Sequence, residues 1–462
     1  MANTQFNVLN TATSASASDN NAGCGQQGDA GAAIHTNSNC ETVDEGAGFW
    51  YIINSSATGW GATTPGDWVN VEGALLRVDN IAVGGDANKI YGLNVDGTMS
   101  EDANLLALVG GAWATIQQAL DTITSDHVNL ASDWPLIQIG AGTWQPGASL
   151  QPATVATASV PILVKGTWAG NALATIIDAN DGAYDILNAD KAGWHYHAMD
   201  LRNTLTSGGH SGILAVGAAN VFHRMRISDV SGYGIRMVTG CGQTAIGCEV
   251  SNWAQASAAY GGFYILSTMG SVHSCIAHSP GYATAKGISI VTAGAGPVTN
   301  SIADGCGGGF YVASDVDDYQ FYLMNPIARN CGIAVEVNTS SKARPGIIQN
   351  LISSGCPTVF DGNAGMTMVQ IIGGLLHDYT TKYEAGKFLA VELEAPIDIA
   401  TDPFVDGANL DFRLKPGLIG NNGEQVLAAA YPKQFLVNGQ LSSWQSYSDP
   451  GAVQRAGHIR RP

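Results

Sequence analysis

Six glycine-led segments recur through the middle of the chain: HSGILAV, GYGIRMV, YGGFYIL, AKGISIV, GGGFYVA and NCGIAVE. Their glycines are Gly212, Gly234, Gly262, Gly287, Gly309 and Gly332. In each segment the residues one and three after the glycine are apolar: Ile213 and Ala215, Ile235 and Met237, Phe263 and Ile265, Ile288 and Ile290, Phe310 and Val312, Ile333 and Val335. Alternation in a short run bounded by glycine predicts a β-strand with one inward face. The segments return at a period of roughly 22–28 residues, which predicts a solenoid, because a lone repeat cannot bury its apolar face and stacked neighbours can. A second strand precedes each glycine-led one, as in FHRMRISDV, TAIGCEV, SVHSCIA and PGIIQNLI, so each coil holds at least two. The variable stretches, NWAQASAAY and SPGYATAK, fall between strands, where insertions leave stacking undisturbed.

The cysteines follow the same period. Cys306, Cys331 and Cys356 are evenly spaced, one coil apart, just ahead of the glycine-led strand, and Cys248 and Cys275 are a coil apart in the preceding one. Stacked free thiols acting as small apolar residues fit this pattern. A metal site would need close pairs such as C-x-x-C, and there are none.

The 462 residues are 45% hydrophobic, enough for two or three domains. Lys and Arg total 20 against 38 Asp plus Glu, a net charge of -18, which argues against a nucleic-acid partner. The 58 glycines show no Gly-X-Y period, so collagen is excluded. The opening MANTQFNVLN lacks a basic, then apolar, leader, and no apolar run spans a membrane. The expectation is a protein made in the cytoplasm of its host cell, not exported by a signal peptide and not inserted in a membrane.

Ahead of the repeat, TIQQALDTI has helical spacing at Ile116, Ala119, Leu120 and Ile123, followed by the alternating run PLIQIGAGTW. A short helix there would cap the open end of the solenoid. These residues resemble the pectin-lyase-like right-handed β-helix proteins, whose opening helix matches Thr115, Ile116, Gln117, Ala119 and Leu120 and whose turn matches Gly142, Thr143 and Trp144. Their closing segments resemble TDPFVDGANLDFRLKPG at 401–417 and SDPGAVQR at 448–455. The resemblance implies an all-β fold: a right-handed, single-stranded parallel β-helix with an N-terminal β-rich domain and a short capping helix.

The expected division is an N-terminal arm and small β-rich attachment domain at 1–110, the β-helix at 111–380, and C-terminal coils and extension at 381–462. Strand-like runs at GFWYIIN, DWVNVEG and LLRVDNIAV place the β-rich domain. An arm and small domain ahead of a β-helix resembles phage fibres and tail spikes. That implies a virion structural protein on the virion surface, as a capsid decoration, head fibre or tail fibre. Its partners would be other virion proteins through the N-terminal region, two further copies in a homotrimer, and a host-surface glycan. A tail-spike depolymerase and a bacterial surface adhesin are the alternatives.

The chemistry for an enzyme is thin. Relatives that cleave polysaccharide, as lyases or glycoside hydrolases, use carboxylates on an outer face. The candidates here are Asp315, Asp317 and Asp318 in a turn-like SDVDD, with Glu336 one coil later and Asn338 at the place equivalent to Asp315. The reading leans to no enzyme. No cofactor is called for, calcium being the one the resemblance admits, and no metal ligands are assigned. Arg224, Arg226 and Arg236 near Asp229 and Glu249 read as surface ion pairs, and His195 with His197 on one strand face lacks a third ligand. Two and four residues after the glycines lies an outer face too apolar for plain solvation, holding Tyr264, Leu266, Val291 and Tyr311, with Ala334 and Glu336 one coil on. Such a stripe marks a subunit interface or a glycan-binding surface.

Overall fold

The computed structural model describes residues 5–8, 35–55, 59–61, 63, 65, 67–71, 74–96, 99–109, 115–122, 135–153, 161–170, 172–291, 296–314, 321–339, 346–362, 368–385, 389–415, 436–437 and 440–441. They fall in two compact units, one of Met1–Pro146, Leu150–Ile177 and Lys191–Met199, the other of Gly147–Ser149, Asp178–Asp190 and Asp200–Pro462.

In the first unit, six antiparallel strands, His35–Gly46, Phe49–Asn54, Trp68–Val71, Ala74–Ile81, Lys89–Asp96 and Leu105–Val109, close into a barrel. Its interior is packed by Trp50, Ile52, Trp60, Val69, Leu76 and Ile90. Closure leaves no free edge. The helix Ile116–Thr122 follows; Thr115 Oγ1 accepts from Gln118 N at 3.2 Å and stops its first turn from fraying. Ile116, Ala119 and Leu120 are buried as their spacing requires, and Ile123 lies outside the described residues. Leu136–Ile139 begins the parallel stacking, flanked by Ile162–Lys165 and by Gln5–Val8, a strand that the sequence alone places in the arm.

In the second unit each full coil has three strands. Val221–His223, Arg226–Ser228 and Ile235–Met237 form one such coil. The glycine-led strands belong to a nine-stranded parallel sheet. Its inner face is two ladders in register, Ile213, Ile235, Phe263, Ile288 and Phe310 in one and Ala215, Met237, Ile265, Ile290 and Val312 in the other, all buried. Glycine leads these strands because the next coil passes too close for a side chain. A Cβ on Gly262 would lie 2.8 Å from Gly287 O, and one on Gly287 would lie 2.7 Å from Gly309 O.

The sixth segment sits in a different register from the one its glycine predicts. Gly332 lies beside Gly307, not Gly309, and Ala334 takes the glycine position, buried under the next coil. Val335 and Val337 therefore stack on Phe310 and Val312, while Ile333 is only half-buried. Asn338 stands beside Ala313, so it is not equivalent to Asp315, and Ala334 is not an outward residue.

The first two strands of each coil are joined through a single left-handed residue, the conformation Asn and Gly tolerate best. Asn300, Asn325 and Asn350 hold φ of 57°, 54° and 56°, and their side chains bond in series, Asn325 Nδ2 to Asn300 Oδ1 at 2.6 Å and Asn350 Nδ2 to Asn325 Oδ1 at 3.1 Å. Cys248 and Cys275 are buried beside these corners, and Cys306, Cys331 and Cys356 are buried at the following turn, between the second strand and the glycine-led one; all five are free. Burial first of all holds the Cys275 and Cys331 thiols well above their ordinary value, which leaves them protonated and unreactive.

The coils continue beyond 380, to Ile397–Asp398. From there the chain folds back as the hairpin Phe404–Asp406 and Asp411–Leu414, burying Phe404, Phe412 and Leu414 against Ile276, Ile302, Ile327, Ile352 and Leu375. Those five stand in one register column. The adjacent Ala277, Ala303 and Ala328 point into the solenoid, so the isoleucines point out and the hairpin acts as a clasp over them. Polar fasteners hold it: Arg329 Nη1 donates to Gly407 O at 2.9 Å and Ser354 Oγ to Asp402 Oδ1 at 3.0 Å. Among the described residues no helix is long and apolar enough to cross a membrane.

Acid should loosen this unit through two histidines. Burial lowers the affinity of His223 and His273 for protons, with Arg224 adding to the effect at His223. The unfolded chain binds protons below about pH 6.5 where the folded one resists, so stability is complete above that pH and falls as the solution is acidified. Burial raises Asp200 and Asp304, which act in the opposite sense, gaining stability as pH falls. A His223→Gln/His273→Gln variant should therefore lose less melting temperature than the parent between pH 7.5 and 5. An equal loss in both proteins would assign the acid sensitivity elsewhere.

Candidate functional site

The outer side of the nine-stranded sheet carries one continuous column. Arg236, Tyr264, Ser289, Tyr311, Glu336 and Asp361 stand on successive coils in register. With neighbouring strands about 4.8 Å apart, Tyr264 and Tyr311 are about 9–10 Å from each other. Tyr264 rests on Tyr233 with centroids 4.7 Å apart, Tyr233 meets Tyr260 edge-on at 4.9 Å, and the Arg236 guanidinium lies 5.0 Å from the Tyr233 ring. Lys286 Nζ sits 5.1 Å from the Tyr311 ring. Leu266, 38% exposed, and the half-buried Val291 continue the face. Aromatic planes bordered by fixed cations suit a flat, hydroxyl-rich or anionic ligand. All four residues of the expected stripe thus share one face, and Tyr233 and Tyr260, which the strand pattern could not locate, join them from the preceding loops.

Of the acidic candidates only Glu336 is described. Asp315, Asp317 and Asp318 lie outside the described residues. Glu336 is on the tyrosine column but is engaged: Lys286 Nζ pairs with its Oε2, and Asn338 Nδ2 donates to its Oε1 at 2.7 Å. A carboxylate held by both oxygens positions Lys286 over Tyr311 and is poorly placed to take a proton from a ligand.

A second polar face was only partly legible. On the strands Asp200–Thr204, Arg226–Ser228 and Glu249–Ser251, the residues Asp200, Arg226 and Glu249 stand in register and face outward. Glu249 receives Arg226 Nε at 3.5 Å and His278 Nε2 at 3.1 Å. Asp178 takes Asn203 Nδ2 at 3.0 Å and Arg202 Nε at 3.4 Å, and Arg329 Nη1 reaches Asp304 Oδ1 at 3.2 Å. Asp200 differs from the rest: it is 8% exposed and its Oδ1 has no hydrogen-bond partner among the described residues. Burial raises its carboxyl pKa, as do Glu249 and Asp229, against the pull of Arg226 and Arg202. The three arginines expected as one group do not meet, since Arg226 pairs with Glu249, Arg236 stacks on Tyr233, and Arg224 occupies a corner at φ 54°.

His195 and His197 share an outward strand face in the first unit, beside Leu163 and Lys165. Among the described residues no group of three His, Cys, Asp or Glu could hold a metal ion.

Residues 202–371 match a family model described as a right handed beta helix region. No curated protein matches the sequence. Among solved structures, the crystal structure of the pectin methylesterase from Aspergillus niger, in a penultimately deglycosylated form, is 13% identical; the match covers 62% of this chain and 89% of that one, with a TM-score of 0.26. The stacked coils are a right-handed parallel β-helix, preceded by an antiparallel barrel and one short helix.

Proposed function

We propose that this chain is a non-enzymatic structural and adhesive component of a viral particle, a capsid decoration or a head or tail fibre. In this reading the N-terminal barrel joins it to the particle and the β-helix presents a glycan-binding face at the surface. The supporting observation is the tyrosine column: Tyr264 and Tyr311 lie on one register line, each ring with a partner that fixes its plane, and the carboxylate beside them is tied to Lys286. The assembly we propose is a homotrimer, and a particle of three chain masses in mass photometry is its expected signature.

The test is binding of the full chain to a panel of bacterial surface polysaccharides. Tyr264→Ala/Tyr311→Ala should weaken the bound glycan at least tenfold, about 1.4 kcal/mol, with the fold unchanged by circular dichroism. Undiminished binding in the double variant would remove this face from the account.

A depolymerase is the second reading, favoured by Asp200. Its buried, unpartnered oxygen and raised pKa suit a general acid, and Glu249 stands two strands away, about 9–10 Å by backbone spacing. That is near the separation of inverting glycosidase carboxyls, about 6.5–9.5 Å. The Arg226 ion pair on one oxygen of Glu249 and the His278 hydrogen bond on the other weigh against it as a base.

A further inference from the structure

The barrel carries an apolar surface that its own packing does not need. Along Phe49–Asn54 the alternation sends Trp50 and Ile52 into the barrel and leaves Phe49, Tyr51 and Ile53 on its outer wall, half-buried. Cross-strand register sets Tyr51 beside Tyr91 and Phe49 beside Leu93, and on the other flank Val43 beside Tyr51. The Phe49 and Tyr91 rings stack at 4.9 Å with planes 2° apart, and Tyr51 meets Tyr91 at 5.3 Å. Three rings and three aliphatic side chains thus form one patch.

Its border is acidic. Glu41, Asp44, Glu45 and Asp79 are exposed, and the Tyr91 phenol is raised by burial, by Tyr51 and by the nearby charges of Asp79 and Glu45. Residues 35–109 contain ten Asp and Glu against only Arg77 and Lys89. Aromatic faces within a negative field attract organic cations, by ring quadrupole and by charge.

We propose that this wall of the barrel docks a basic protein surface, one that lays Lys and Arg side chains over Tyr51, Tyr91 and Phe49. The inference deepens the display reading, and rests on it for placing the partner in the particle. A protein fits better than a sugar because the outside of a closed barrel is convex, whereas small-ligand sites are concave. Closure also offers no edge for a strand to join, so the contact must be through side chains. Aromatic residues meeting arginine at a charge-complementary patch is the ordinary composition of such an interface core.

The experiment is calorimetric titration of the full chain with a decalysine peptide at about 0.15 M salt, physiological ionic strength, alongside chitohexaose as a neutral sugar. Decalysine should bind, Tyr51→Ala/Tyr91→Ala should weaken it at least tenfold, and Tyr264→Ala/Tyr311→Ala should leave it unchanged. Glu45→Gln/Asp79→Asn, two exposed changes that spare the barrel core, should weaken it too and flatten its salt dependence. No decalysine binding, or binding indifferent to Tyr51 and Tyr91, overturns the proposal, as does chitohexaose binding that depends on those two tyrosines. Polysaccharide binding lost while decalysine binding persists would count against the solenoid's glycan face and leave the barrel's partner standing.

Discussion

Phe412→Ala is expected to destabilise the second unit by about 3–5 kcal/mol, the range for emptying a large buried aromatic site. Phe412 and Phe404 are both fully buried, meet edge to face at 5.3 Å, and roof the outward Ile276, Ile302, Ile327, Ile352 and Leu375. The loss is larger than for an ordinary surface hairpin because what it uncovers is a ladder spanning five coils. Denaturant unfolding should show a lowered midpoint, and hydrogen exchange should rise first along the strands that contain those isoleucines. Removing 402–462 altogether should produce self-associating protein, since a stripe of stacked isoleucine and leucine cannot stay solvated. A truncated chain that is monodisperse and as stable as the parent would show that the clasp is dispensable.

Gly234→Ala should cost about 3 kcal/mol or more, the upper part of the overpacking range, for a single added methyl. Its Cβ would lie 2.2 Å from Val250 Cγ1 and 2.5 Å from Gly262 O. The valine tip could rotate, but the carbonyl belongs to the next coil and can retreat only by parting two strands. Gly242→Ala is the informative control: among the described residues nothing lies within 4 Å of its Cβ, so only the cost of its positive φ of 73° applies. Melting temperatures should rank parent, Gly242→Ala, Gly234→Ala in falling order. Equal losses at the two sites would mean that the repeat glycines serve backbone conformation rather than close stacking.

The inner ladders were legible because three signals agree at each coil: a glycine that close stacking demands, period-2 alternation, and a return at the solenoid period. The glycine pattern misleads at Gly332 because Ala334 replaces the expected glycine, and Gly332, just before it, offers itself instead. The cysteine spacing held the correction, since the step from Cys306 to Cys331 also carries Gly309 onto Ala334. The outward isoleucines are hidden for a different reason. Ile276-Ala277, Ile302-Ala303 and Ile327-Ala328 are pairs of adjacent buried residues, which breaks alternation, and only the distant clasp explains why both faces are apolar. The charged face depended on stacking too: Asp200, Arg226 and Glu249 are each a full coil apart in sequence and become neighbours only when the coils close. Closure of the six strands into a barrel likewise depends on long-range pairing between His35–Gly46 and Leu105–Val109, which no local pattern announces.

The most direct test of the functional account is to incubate the full chain with the polysaccharide panel and assay both retention of the glycan and appearance of new reducing or unsaturated ends. A display protein should hold the glycan through Tyr264 and Tyr311 and release nothing over hours. Release of oligosaccharides that Asp200→Asn abolishes would contradict that account and make the face at Asp200 and Glu249 the site of an enzyme.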